Sequence, residues 1–102
     1  MIEKRKFPRK PVDLTAAIIL PGSPDPIEGR LRDLSIGGGF ILVAARPAFG
    51  QQVGVRIDFP PPAGPMTLPA IVRWTDNEGV GVQFGLLGAR ETHAIANAIK
   101  GK

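Results

Sequence analysis

A chain of 102 residues, 43% of them hydrophobic and none of them cysteine, suits one compact domain and excludes disulfides, thiolate zinc sites and cysteine nucleophiles. The single histidine, His93, cannot supply a multi-histidine metal centre, so no metal is expected, and metal catalysis would fall to carboxylates alone. Net charge is +4, but the first ten residues hold five of the 13 Lys/Arg and one of the nine Asp/Glu, so the excess sits at the amino terminus.

The chain divides into a basic arm, residues 1 to 10, and a domain over residues 11 to 102. The arm carries Lys4, Arg5, Lys6, Arg9 and Lys10. Such a segment attracts phosphate-bearing partners, or is merely a solvated tail. Only Phe7 among residues 1 to 9 is aromatic, which is too little apolar surface to offset the entropy of ordering, so the arm is expected to be mobile in the free protein. The longest apolar run, Ala16 to Leu20, falls far short of a membrane span, and the amino terminus lacks the apolar core of a signal peptide. No membrane insertion and a cytoplasmic location are expected.

Val12 to Leu20 alternates as a first strand, which Pro21 to Pro26 breaks. Ile27 to Leu34 reads as a second strand, Phe40 to Val43 as a short third, and Val53 to Phe59 as a fourth. In the fifth, Met66, Leu68, Ala70, Val72 and Trp74 share one face; Pro69 should bend or delay it, because proline cannot donate within a ladder. Asp76 to Gly79 is a hairpin turn leading into a sixth strand, Val80 to Phe84. Ala89 to Lys100 places Ile95, Ala96 and Ile99 at helical spacing. Six antiparallel strands with a short carboxy-terminal helix indicate an all-β barrel, which leaves no exposed sheet edge.

The stretch Asp33-Leu34-Ser35-Ile36-Gly37-Gly38-Gly39 lies between the second and third strands. Glycines let a ligand approach the backbone, and successive turn N–H groups can form an anion-binding nest. Asp33 and Ser35, two residues apart, are expected on one face, setting an acceptor-only carboxylate beside a hydroxyl. The same residue types are also the ordinary vocabulary of turns.

Two separated motifs bring out a resemblance. Arg5-Lys6-Phe7-Pro8-Arg9 has the form RxxxR, and Asp33-Leu34-Ser35-Ile36-Gly37-Gly38 has the form D/N-x-S-x-x-G. In this order, before the first strand and after the second, they resemble the PilZ domain, the bacterial receptor module for cyclic di-GMP. Arg73-Trp74 and Gly79 to Phe84 also resemble family patterns. The resemblance implies a six-stranded PilZ-type barrel that binds cyclic di-GMP through Arg5, Arg9, Asp33, Ser35 and Gly38. Lys4, Lys6, Gly37, Gly39 and Trp74 are possible further contacts.

The chemistry of that ligand fits these residue types. An arginine can pair with phosphate, bond guanine O6 and N7 together, or stack on a base, none of which lysine reproduces well. Asp33 can accept from guanine or orient an arginine. Trp74 could pack a base or an arginine, or else be a partly buried strand residue. His93 is expected to pack or be solvated on the helix.

The expected activity is that of a non-enzymatic effector, monomeric or weakly dimeric. Its arginine arm would order over the ligand and change the surface shown to an unidentified downstream protein, a signalling role of the kind that regulates motility and biofilm formation. One alternative is a PilZ-like protein-interaction adaptor that binds no nucleotide, although such divergence would be expected to spoil the motifs. Another is a nucleic-acid-binding small barrel, suggested by a pI near 10.1 but lacking the aromatic platform that successive bases need. An enzyme ranks last, because no nucleophile, base and acid are visible together.

Overall fold

A computed structural model describes residues 9–45 and 47–100. The strands are β1 (Lys10–Ile19), β2 (Ile27–Leu34), β3 (Gly38–Leu42), β4 (Gln52–Asp58), β5 (Pro65–Thr75) and β6 (Gly79–Phe84), followed by one helix, α1 (Ala89–Lys100). They form a closed antiparallel barrel in the order β1-β2-β3-β6-β5-β4. Closure is made by β1 and β4, where Ala16 to Ile19 face Ile57 to Gly54. Every strand therefore has two neighbours, and no edge is left to pair with another chain.

Period-two alternation fills the interior. Ile18, Leu31, Ile41, Val55, Ile57, Leu68, Val72 and Val80 are fully buried, each contributing roughly 1.5–3 kcal/mol by leaving water. Helix α1 covers this core with Ala94, Ile95 and Ala98, and Ile95 is wholly enclosed.

Pro69 does not delay β5, which begins at Pro65 and runs to Thr75. In an extended strand the N–H and C=O of one residue point to the same side. The Pro69 carbonyl accepts from Gly85 N at 2.8 Å, just past the end of β6. The missing N–H therefore faces a place where the ladder has already stopped.

The register between neighbouring strands shifts at three points, each an inserted residue. Between β1 and β2 the register slips between Pro11 and Leu14; between β2 and β3 it slips between Leu31 and Asp33; between β5 and β6 it slips between Val72 and Trp74. Such bulges turn successive side chains to the same surface. Arg32 and Asp33 accordingly both face outward, as do Arg73 and Trp74.

Candidate functional site

The bulges assemble a row across the outside of the barrel. Pro11 lies opposite Asp33, Asp33 opposite Phe40, Phe40 opposite Gly81, and Gly81 opposite Trp74. Trp74 does not continue the buried face of β5, as alternation predicts. The bulge at Arg73 brings it out, and it remains 36% exposed.

Gly81 gives the indole its place. A Cβ there would lie 2.5 Å from the Trp74 ring atoms Cδ2, Cε3 and Cη2. Because glycine has none, the ring lies flat over β6 and reaches Phe40, stacking at 6.0 Å between centroids with 19° between planes. Arg9 completes the group: its Cζ lies 4.5 Å from the Trp74 ring centroid. Cation–π attraction of this kind contributes about 0.5–2 kcal/mol, depending on how dry the contact is.

Arg9 also faces Asp33. Its Nη1 lies 3.4 Å from Asp33 Oδ1, with the side chains 11% and 33% exposed. Both atoms are shielded from solvent and attract as charges without the alignment of a mutual hydrogen bond. Residue 9 was expected to be part of a mobile arm. Residues 1 to 8 of that arm lie outside the described residues; the Arg9 guanidinium itself lies against the barrel, where Asp33 and Trp74 together offer a charge and a ring face. Lys4, Arg5 and Lys6 lie outside the described residues.

The glycine turn is spent differently. Strand β2 ends at Leu34, so Asp33 and Ser35 do not share a face, and Ser35 is only 3% exposed. Ser35 Oγ accepts from Gly37 N at 3.1 Å and Gly38 N at 3.2 Å, and donates to Gly38 O at 3.3 Å. Ser35 N donates to Gly38 O at 2.8 Å. The chain's own hydroxyl thus occupies the N–H groups that would have formed an anion nest.

At Gly38 a Cβ would strike the Val82 carbonyl on β6, and at Gly39 it would come within 2.6 Å of Asp33 O. Among the described residues, glycines with positive φ are Gly22, Gly50 and Gly64. Gly38 and Gly39 are therefore needed for the close approach of three strands, and not for a left-handed turn.

Beside the row lies a cavity of about 450 Å³, bounded by the apolar side chains of Pro11, Phe40 and Leu42 and the charged side chains of Arg9, Arg32, Asp33 and Glu78. Sequence reasoning missed Phe40, Arg32, Glu78 and Gly81. The one available signal was the adjacency of Arg32 to Asp33 and of Arg73 to Trp74, where polar or amphipathic neighbours interrupt an alternating pattern. A larger cavity, about 620 Å³, lies between α1 and the Pro60–Ala63 segment, and none of the described candidate residues lines it. No group of three or more metal-ligating side chains occurs among the described residues, and no helix there is long and apolar enough to cross a membrane.

Comparison with known proteins agrees with this architecture. The family model of the PilZ domain matches residues 3–101. The PilZ domain of YcgR from Escherichia coli, whose structure holds c-di-GMP, superposes with a TM-score of 0.78 at 14% identity, covering 97% of this chain and 91% of that one. The PilZ domain of CeSA from a cellulose-synthesizing bacterium gives a TM-score of 0.72 at 17% identity, covering 91% and 95%. The Bacillus subtilis inhibitor of motility MotI/DgrA gives 0.74 at 19% identity over 97% of this chain and 50% of that one, so this chain spans about half its length. No curated protein sequence matched. The closed barrel with its terminal helix, the turn after β2 and the matched span lead to one assignment: the chain belongs to the PilZ domain family.

Proposed function

We propose that this chain is a cyclic di-GMP receptor and not an enzyme, acting in the cytoplasm as a monomer or weak dimer. The observation that carries the reading is the convergence of Arg9, Asp33 and Trp74 beside one cavity, although they lie far apart in the chain. A guanidinium over an indole and beside a carboxylate is poised to exchange those partners for phosphate and a guanine edge. The YcgR PilZ domain holding c-di-GMP on the same fold supports the ligand class.

In this reading the arm, residues 1 to 10, and the barrel, residues 11 to 102, act as one receptor. Arg5, with Lys4 and Lys6, adds cations to the phosphates. Ser35, Gly37, Gly38 and Gly39 hold the turn that presents Asp33. Binding draws Arg9 from Asp33 toward the ligand and alters the surface shown to a downstream protein, in signalling of the kind that controls motility or biofilm formation.

Isothermal titration with cyclic di-GMP, cyclic di-AMP and GTP tests this. Cyclic di-GMP should bind best, and Arg9→Ala should weaken it by about 100-fold, the loss of one charge-assisted contact with its stacking partner. Arg9→Lys should recover little. A lysine variant equal to the parent, or equal binding of the adenine analogue, would reject base-specific recognition by this row.

A further inference from the structure

Two charged residues on the cavity belong to neither motif. Arg32 stands at the β2 bulge, and Glu78 stands in the turn between β5 and β6. Elsewhere on the barrel the arginines are matched. Arg30 binds Asp13 at 2.7 Å, Arg56 lies 3.3 Å from Glu28, and Arg73 donates to Gln83 at 2.7 Å. Among the described residues neither Arg32 nor Glu78 has a side-chain partner, although both line the same space.

Their backbones are nonetheless held. Glu78 N donates to Asp76 Oδ1 at 2.8 Å, Gly79 N donates to the same oxygen at 3.1 Å, and Glu78 O accepts from Val43 N at 3.2 Å. Arg32 is fixed between the paired residues Leu31 and Asp33. A side chain that projects from a pinned backbone loses less freedom on binding than one carried on a loose loop. The apolar surface between them comes from Phe40 and Leu42, and an aromatic floor of this kind accepts the face of any base.

The charges then decide which base and which end. A carboxylate has only acceptors, which complements guanine, whose Watson–Crick edge offers the N1–H and the N2 amino group as donors; the lone pair of adenine N1 would meet it with repulsion. Arginine suits the adjoining phosphate. Resting on the receptor reading above, we infer that Arg32 and Glu78 form a base-reading subsite over Phe40 and Leu42. Glu78 accepts from a guanine edge, and Arg32 holds the phosphate next to it.

The experiment is titration of the full chain, its Glu78→Ala variant and its Arg32→Ala variant with cyclic di-GMP and with its inosine counterpart, which lacks the 2-amino groups. Removing Glu78 also removes a negative charge and shifts both affinities together, so the ratio between the two nucleotides is the informative readout. Glu78→Ala should narrow the guanine-over-inosine preference by at least roughly fivefold, the worth of one base-edge contact. Arg32→Ala should weaken both nucleotides alike by about tenfold and leave the ratio as in the parent. An unchanged ratio in Glu78→Ala, with the parent binding cyclic di-GMP, overturns this subsite alone. A parent that binds neither nucleotide overturns the receptor reading and the subsite with it.

Discussion

The turn after β2 and the row of side chains beside it meet at Asp33, yet they use their residues in opposite ways. In the turn, Ser35 and Gly38 are consumed by the fold: the hydroxyl closes on two backbone N–H groups, and the missing Cβ lets β3 lie against Val82. In the row, Arg9, Asp33 and Trp74 touch one another mainly through charge and ring faces that a ligand can replace. On the proposed function, a motif that reads as one binding element would therefore separate into a scaffold and a contact surface. Only Asp33 serves both.

The sharpest way to break this division is Gly38→Val. The obstructing atom is a backbone carbonyl on β6, which cannot rotate away as a side chain could. The variant should lose at least about 3 kcal/mol, seen as a fall of more than ~12 °C in Tm by circular dichroism. If it melts like the parent and yet fails to bind cyclic di-GMP, Gly38 belongs to the contact surface after all. Ser35→Ala comes next. It leaves the buried N–H of Gly38 and the part-buried N–H of Gly37 without their acceptor and should cost about 2 kcal/mol of stability. At a temperature where the variant is fully folded, its affinity should stay within about threefold of the parent's. A large affinity loss in a folded Ser35→Ala protein would instead show the hydroxyl turning out to the ligand.

Gly81→Ala tests the other side of the comparison with the smallest effect. The added methyl displaces an exposed side chain, so Tm should move by no more than a few degrees, while the reduced freedom of the unfolded chain offsets part of the cost. The displaced indole loses Phe40 and Arg9, and affinity should drop about fivefold, on the order of one aromatic or cation–π contact. Unaltered binding would mean that the flat seat over β6 serves packing only.

What the sequence made legible follows from the same physics. Apolar spacing located all six strands and the helix, because most of each element's buried side chains recur at the period of a strand or of a helix. It misplaced Trp74, because an inserted residue shifts the phase by one and leaves no periodic mark of its own, and the Asp33/Ser35 pair, because β2 ends between them at Leu34. Pro69 was misread for a related reason: which side of a strand has lost its donor depends on where the neighbouring strand ends, and composition does not carry that. The motifs marked Arg9 and Asp33 as partners of a ligand. That the two already attract each other across the start of β1 and the end of β2 is visible only once Pro11 is set against Asp33.

The row also ties recognition to folding. Arg9 precedes β1, Asp33 lies one residue before the end of β2, Phe40 lies on β3, Gly81 on β6 and Trp74 on β5, and these strands stand side by side only when the run β1-β2-β3-β6-β5 is fully paired. No hairpin taken alone contains the site, and neither does any opened sheet that has lost the pairing of β3 with β6. A nucleotide that needs all five positions would bind only chains in which those five strands are paired, so occupancy would withdraw chains from every form that has lost one of those pairings, and its free energy would add to that of the fold. Such a receptor would be most resistant to unfolding and proteolysis when the messenger is abundant, and its cellular lifetime would then carry part of the signal.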